Sequence, residues 1–356
     1  MSEKILMKGA EAMGEAAIKA GCRLFFGYPI TPQNEAPAYM SKRLPEVGGT
    51  FLQAESEVSA INMLYGAAAA GHRVMTSSSS PGISLMMEGI SYIAGAQLPV
   101  VVVNVMRGGP GLGGIGPAQA DYFQSTKGGG HGDYRLITLA PTDLQEQVDL
   151  MYDAFDMADE YRNPVMVLTD GLLGQIMEAV EFKREKDLST LIPKPWATTG
   201  RVNRPKNLIN SFDLDLDGLE RHNQKIQAKY RTIQEKEVRF ESFHADESEI
   251  VIVAYGTMAR ICKTAIKTLR EQGVSVGMLR PITLWPFPEK QVLELAQNQK
   301  TKAFLVIELS AGQMVEDVQR YSRMLKPVLF HGRTGGNVPS PNEVIEKIRQ
   351  AQKEVK

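Results

Sequence analysis

Residues 73–109 read RVMTSSSSPGISLMMEGISYIAGAQLPVVVVNVMRGG, and the fold is decided in this stretch. The short run RVMTS leads into Ser77 to Ser80 before Pro81-Gly82, which suits a helix start with hydroxyl caps. A segment of helical length follows, then the nearly continuous apolar run LPVVVVNVM, the pattern of a strand covered on both faces. Strand, helix and strand in that order predict a parallel pair with its crossover.

The same rhythm extends in both directions. LFFGYP, TFLQ, LITLAP and NPVMVLTD alternate with helical patterns between Met7 and Leu168, so residues 1–177 read as an α/β unit with a mainly parallel sheet and helices on both faces. Thr142 to Tyr161 is its clearest helix, opened by a Thr142-x-x-Gln145 capping box, with Leu144, Val148, Met151, Phe155 and Ala158 at helical spacing. Residues 178–247 lose the alternation and become rich in charge and amide, with Pro193, Pro195 and Pro205 and a polar helical pattern from Leu219 to Glu235. They read as a connector wrapping the surface. From Glu249 the alternation returns as EIVIVAYG, VSVGMLRP, KAFLVIEL and PVLFHG, which makes residues 248–356 a second, smaller α/β domain. Ser340-Pro341-Asn342-Glu343 announces its last helix.

Composition narrows the function. At 356 residues and 43% hydrophobic content the chain can bury the cores of two domains. A net charge of −1 gives no field to hold a polyanion, so nucleic acid is not an expected partner. Apolar stretches such as Leu98 to Val103 fall far short of the roughly 18 residues that span a bilayer, and MSEKILMKGAEAMGEA lacks a secretory core, which places the protein in the cytoplasm without a membrane partner. Cys22 and Cys262 stand far apart without a CxxC, and clusters usually take about four thiolates, so any iron–sulfur centre must sit in another chain.

Four segments fall where a parallel sheet presents ligands, the carboxyl edge of its strands: GYPITP (27–32), QAESEVSAINMLYGAAAAGHR (53–73), TSSSSPG (76–82) and VMRGGPGLGGIGPAQADY (105–122). Glu57 opens an apolar helix, and Val58, Ala60, Ile61 and Leu64 predict a dry surround; such a carboxylate suits proton chemistry, or complements the helix dipole. Arg107 leaves a strand for a glycine-rich loop, where its fork suits a carboxylate, or solvent. GxGxxG occurs at 109–114 and 111–116, but proline and polar residues follow instead of a helix, so a lid over a ligand fits better than a dinucleotide site. No GxSxG elbow makes a nucleophile of Ser77 to Ser80, and GxxxxGK[ST] is absent. His131, in GGHGD, suits a base, a substrate contact or a loop brace.

Together AGCRLFFGYPITP, QAESEVSAINMLYGAAAAGHRVMTSSSSPGISL, VMRGGPGLGGIGPAQADY and KGGGHGDYR resemble the alpha-type subunit of 2-oxoacid:ferredoxin oxidoreductases, above all the branched-chain members that act on 3-methyl-2-oxobutanoate. AYGTMAR and LRPITLWPFP are similar to the transketolase C-terminal-like domain of that family. The resemblance implies a pyrimidine-binding domain of the thiamine diphosphate fold over 1–177, with Glu57 hydrogen-bonded to N1′ of the cofactor, Tyr28, Pro29 and Ile30 beside it, and Thr31 and Arg107 on the 2-oxoacid carboxylate. It also implies coenzyme A as co-substrate and ferredoxin as electron acceptor. No Gly-Asp-Gly with its distal asparagine occurs, Thr169-Asp170-Gly171 being only partial, so the resemblance implies a beta-type partner holding the diphosphate and Mg2+. Gamma and ferredoxin-like subunits with 4Fe–4S clusters are expected beside it. 2-Oxoglutarate and pyruvate are the rival substrates; a dinucleotide-binding oxidoreductase and a non-catalytic scaffold are the rival functions. Many relatives have glycine where this chain has Ser80, which then either narrows the approach to the thiazolium or caps the helix at Pro81.

Overall fold

The computed structural model describes residues 4–355. The chain begins with β1 (Ile5–Lys8), α1 (Gly9–Lys19), β2 (Leu24–Gly27), α2 (Glu35–Glu46), β3 (Thr50–Gln53), α3 (Glu57–Ala69), β4 (Val74–Ser78), α4 (Ser80–Gly95) and β5 (Val101–Met106). It continues through α5 (Tyr122–Thr126), β6 (Ile137–Leu139), α6 (Leu144–Tyr161), β7 (Val165–Asp170), α7 (Gly171–Gln175) and β8 (Met177–Val180). A long excursion ends in α8 (Leu216–Lys236). Next come β9 (Phe240–Phe243), β10 (Ile250–Val253), α9 (Gly256–Glu271), β11 (Val276–Pro281), β12 (Thr283–Trp285) and α10 (Glu289–Gln297). The last elements are β13 (Ala303–Glu308), α11 (Met314–Tyr321), β14 (Val328–Gly332) and α12 (Pro341–Glu354).

Two sheets organise these elements. The larger runs β12-β6-β7-β5-β4-β2-β3 and is parallel except where β12 meets β6. The smaller runs β14-β13-β10-β11-β9 and is parallel except where β9 meets β11. Every residue of β5 is buried: Val102 and Met106 face one core, Val101, Val103 and Val105 the other, which is why its sequence is apolar without alternation. From β2 the chain moves outward to β3, then returns across β2 to β4 and on to β5. The order therefore reverses between β2 and β4, and such a switch point opens a crevice at the carboxyl ends of the strands. Among the described residues, no helix is long and apolar enough to cross a membrane.

Two pairings lie outside the sequence reading. β1 and β8 form a separate antiparallel ribbon, and β12 leaves the second unit to extend the first unit's sheet. The capping box at α6 is also corrected: the cap is Asp143, whose carboxylate accepts the Glu146 N–H at 2.8 Å, and not Thr142. Glu146 accepts from the Thr142 N–H and hydroxyl and pairs with Arg280, so a charged residue takes the place given to Gln145. Gln145 instead bonds the backbone of Glu181 in both directions. At α12 Ser340 does cap, accepting from the Glu343 N–H.

The connector is bound by charge. Arg73, buried at the start of β4, reaches Asp159 at 2.8 Å and Asp156 at 2.5 Å on α6, and these acids also take Lys194 and Lys186 of the connector. Further along, Ile226, Tyr230 and Ile233 of α8 enter the core beside α6. Lys229 on the same helix donates to the Arg162 carbonyl at 2.9 Å, and among the described residues no carboxylate pairs with it. Burial, then the charges of Arg162 and Lys225, push its ammonium down to about 7 from 10.5. A base with a lowered folded value destabilises the fold fully below that value, and the penalty fades as pH rises toward the unfolded value. Lys229→Met should therefore raise the melting temperature at pH 6–7, with a gain on the order of 2 kcal/mol after allowance for solvent. The gain should shrink steadily toward pH 10, and thermal melts across that range check the slope.

Candidate active site

Glu57 is the first residue of α3, behind Ser56, whose hydroxyl caps the helix by accepting the Ser59 N–H at 3.2 Å. The carboxylate is 5% exposed and has no hydrogen bond or ion pair among the described residues. It lies against Gly82 in the first turn of α4. A Cβ on Gly82 would stand 2.5 Å from Glu57 Oε1 and 2.1 Å from Ser78 Oγ, so this contact demands glycine.

At the carboxyl ends of β4 and β5 the polar groups are incompletely satisfied. Thr76 Oγ1 and Ser78 Oγ, two residues apart on β4, share a face, and the parallel register sets Ser78 beside Asn104 of β5. These two hydroxyls, Ser79 Oγ, Asn104 Oδ1 and Arg107 Nε are all buried without a partner among the described residues. Native interiors leave few such atoms, so a group of them at a sheet's switch point marks a place built to meet a ligand.

Arg107 is 8% exposed at the end of β5. Its Nη1 donates to the Thr31 carbonyl at 2.9 Å and its Nη2 to the Leu112 carbonyl at 3.1 Å, while its own N–H donates to Ser80 Oγ at 3.0 Å. Among the described residues no carboxylate neutralises the guanidinium. Thr31 and Arg107 thus meet directly, and Arg107 and Glu57 flank the first turn of α4 through Ser80 and Gly82. Tyr28 and Pro29 are exposed and Ile30 half-buried in the turn after β2, and that turn is braced by buried Gln33, which donates to the Tyr28 carbonyl at 3.3 Å and accepts from Ser77.

Ser80 does not cap α4, one of the two roles read for it in the sequence, and the Ser79 side chain makes no capping hydrogen bond. The Ser80 hydroxyl donates to Asp121 Oδ2 at 2.5 Å and accepts from Arg107, whereas the helix-capping position falls on Ser79. Asn104 Nδ2 donates to the same Asp121 oxygen at 2.9 Å. Burial raises the Asp121 carboxyl, opposed by these two hydrogen bonds. Gln33, Asn104 and Asp121 escaped the sequence reading, and Ser78, read there as a helix-cap hydroxyl, makes no capping bond; the polar Asn104 within an otherwise apolar strand was the one visible signal.

The glycine-rich loop closes on itself, Gly108 N–H to the Gly116 carbonyl at 3.0 Å and Gly114 N–H to the Gly108 carbonyl at 2.8 Å, with Leu112 and Ile115 exposed at its crest. No helix begins at either GxGxxG; the next is α5, at Tyr122. His131 lies elsewhere: its ring packs edge-on against Tyr92 near the far end of α4, roughly 18 Å along that helix from Ser80. Asp170 caps α7 through the Leu172 and Leu173 N–H groups, so Thr169-Asp170-Gly171 is a helix start, and burial raises that carboxyl. Among the described residues no group of three or more His, Cys, Asp or Glu could hold a metal ion.

Residues 15–246 match the family described as pyruvate flavodoxin/ferredoxin oxidoreductase, thiamine diphosphate-binding, and residues 248–344 match pyruvate:ferredoxin oxidoreductase core domain II. The chain is 51% identical to ketoisovalerate oxidoreductase subunit VorB of Methanothermobacter thermautotrophicus, over 97% of each chain. It is 38% identical to 2-oxoglutarate synthase subunit KorA of Archaeoglobus fulgidus, over 89% of this chain and 91% of the relative. The fold is similar to the structure of 2-oxoglutarate:ferredoxin oxidoreductase from Magnetococcus marinus, with a TM-score of 0.82 at 24% identity, covering 98% of this chain and 65% of that one.

Proposed function

Because the chain belongs to the pyruvate and 2-oxoacid:ferredoxin oxidoreductase family, we propose that it supplies the pyrimidine half of a thiamine diphosphate site in an enzyme that oxidises 3-methyl-2-oxobutanoate. The observation that carries this reading is Glu57: a buried carboxylate without a partner among the described residues, at a switch point, near the likewise unsatisfied Ser78 hydroxyl. An aminopyrimidine fits these donors and acceptors, since its ring nitrogen meets an acid and its amino group meets oxygens.

In this reading Glu57 holds a proton at N1′ of the pyrimidine, and the turn Tyr28, Pro29, Ile30 lies beside the ring. The bound group supplies the nucleophilic carbon at which a 2-oxoacid loses carbon dioxide. Arg107, uncompensated and braced by two carbonyls, turns its fork to the substrate carboxylate, with Thr31 next to it. The loop from Gly108 to Gly132 keeps water from the reacting atoms. Per turnover, 2-oxoacid, coenzyme A and two oxidised ferredoxins become acyl-CoA, carbon dioxide, a proton and two reduced ferredoxins.

The branched-chain substrate follows the name of the relative at 51% identity, and 2-oxoglutarate, from the relative at 38%, is the second candidate. The diphosphate and Mg2+ are assigned to a beta-type partner, since Asp170 is committed to a helix cap. The 4Fe–4S clusters are assigned to further subunits, because this chain's two thiols are buried and far apart in sequence. The complex is placed in the cytoplasm.

Calorimetry tests the shared site. Thiamine diphosphate with Mg2+ should bind the complex of this chain with its co-purifying partner and not the chain alone. Tight binding by the isolated chain, or none by the complex, would overturn the assignment.

A further inference from the structure

We propose that Ser80 and Asp121 position Arg107 for the substrate carboxylate, a role that rests on the reading of Arg107 given above. The guanidinium is held by the backbone carbonyls of Thr31 and Leu112 and, among the described residues, by no carboxylate, so its aim depends on where the Arg107 backbone sits. The side-chain atom that holds this backbone is Ser80 Oγ, which accepts the Arg107 N–H at 3.0 Å and passes its own proton toward Asp121 Oδ2 at 2.5 Å. Asn104 of β5, three residues before Arg107, donates to the same oxygen at 2.9 Å. The start of α4, the end of β5 and the residue before α5 are therefore tied at one carboxylate.

Asp121 is itself placed from the second unit. Two residues before it, Gln119 is fully buried and spends every polar atom on that unit. Its side chain donates to the Tyr255 carbonyl at 2.8 Å and accepts the Leu309 N–H at 3.0 Å. Its backbone N–H donates to the Leu309 carbonyl at 2.8 Å, and its carbonyl accepts from the Tyr255 hydroxyl at 3.2 Å. Tyr122, next after Asp121, donates to Asp317 at 2.6 Å. The path runs from the second unit through Gln119 to Asp121, then through Ser80 to the arginine. A displacement of about 1 Å at a substrate-holding group can lower catalysis on the order of a hundredfold.

The test uses the complex with its partner subunit, reading the KM for the 2-oxoacid, kcat, and the exchange rate of the C2 proton of bound thiamine diphosphate. Ser80→Ala should raise KM about tenfold, with kcat and proton exchange within about twofold of the parent. Ser80→Thr, which keeps the hydroxyl, should recover KM to within about threefold. Asp121→Ala should match Ser80→Ala, and the double variant should be no worse than either. Asp121→Asn provides a second route if the alanine variants fold poorly. Asn104 can turn Oδ1, which has no partner in the native site, toward the new amide, so KM should stay near the parent value. An unchanged KM in Ser80→Ala, a threonine variant as impaired as alanine, or loss of proton exchange along with KM each overturns the positioning role. If Arg107→Met leaves KM unchanged, the underlying reading of Arg107 fails, and this result is independent of the Ser80 series.

Discussion

Glu57→Gln should leave the complex assembled and thiamine diphosphate bound, and should slow exchange of the cofactor's C2 proton by about 10²- to 10⁴-fold. The amide keeps the volume that lies against Gly82, where the approach is so tight that a Cβ on Gly82 would meet both Glu57 and Ser78, so packing is preserved. What is lost is an acid able to share a proton with the pyrimidine nitrogen. Because Glu57 has no hydrogen bond or ion pair among the described residues, the substitution breaks no internal network, and any effect reports on the ligand. Exchange followed by quenching in deuterated buffer and proton NMR gives the rate; a variant exchanging as fast as the parent would remove Glu57 from the chemistry.

Arg107→Met should lower kcat/KM by roughly 10- to 150-fold, the equivalent of one charge-assisted hydrogen bond of about 1.5–3 kcal/mol, while C2 proton exchange in the absence of substrate stays near the parent rate. Arg107→Lys should fall between the two, since it keeps the charge and loses the planar fork that now bridges the Thr31 and Leu112 carbonyls. Assays with 3-methyl-2-oxobutanoate, 2-oxoglutarate and pyruvate side by side serve two purposes. In the parent complex their ratios decide the substrate, and a dominant rate with 2-oxoglutarate would replace the branched-chain assignment. In the variant all three should decline together, because the carboxylate is common to them and the side-chain pocket is untouched. A loss confined to one acid would move Arg107 from the carboxylate to the side-chain pocket.

The strands of the larger sheet from β2 to β7 were legible because each carries a local signature, as when PVVVVNVM announces a strand with both faces covered. The burial of Glu57 was legible for the same reason: Ala60, Ile61 and Leu64 one and two turns on must face the core, and a residue at that helical phase goes with them. Where two neighbouring candidates competed for one role, sequence reading slipped. At α6 both Thr142-x-x-Gln145 and Asp143-x-x-Glu146 fit the capping pattern, and the choice fell to Arg280, a residue far along the chain that favours a carboxylate over an amide. His131 and Arg107 both stood in glycine-rich loops; one lies beside the far end of α4 and the other at its start, a distinction that no local pattern contains.

The sequence by itself determined the α/β class and the strand and helix phases, and it offered Glu57 and Arg107 as candidates whose roles came from the family resemblance. Class and phases depend on periodicity and on neighbours within a few residues, where the physics of burial is local. Only the tertiary structure decided that Ser78 and Asn104 stand side by side, that Gly82 presses on Glu57, that Ser80 and Asp121 meet beneath Arg107, and that β12 crosses into the first unit's sheet. Each joins segments whose distance is set by strand order and register. Alternation of apolar and polar residues specifies which face a side chain takes, and the order in which strands lie beside one another depends on how the whole set of apolar faces is buried together.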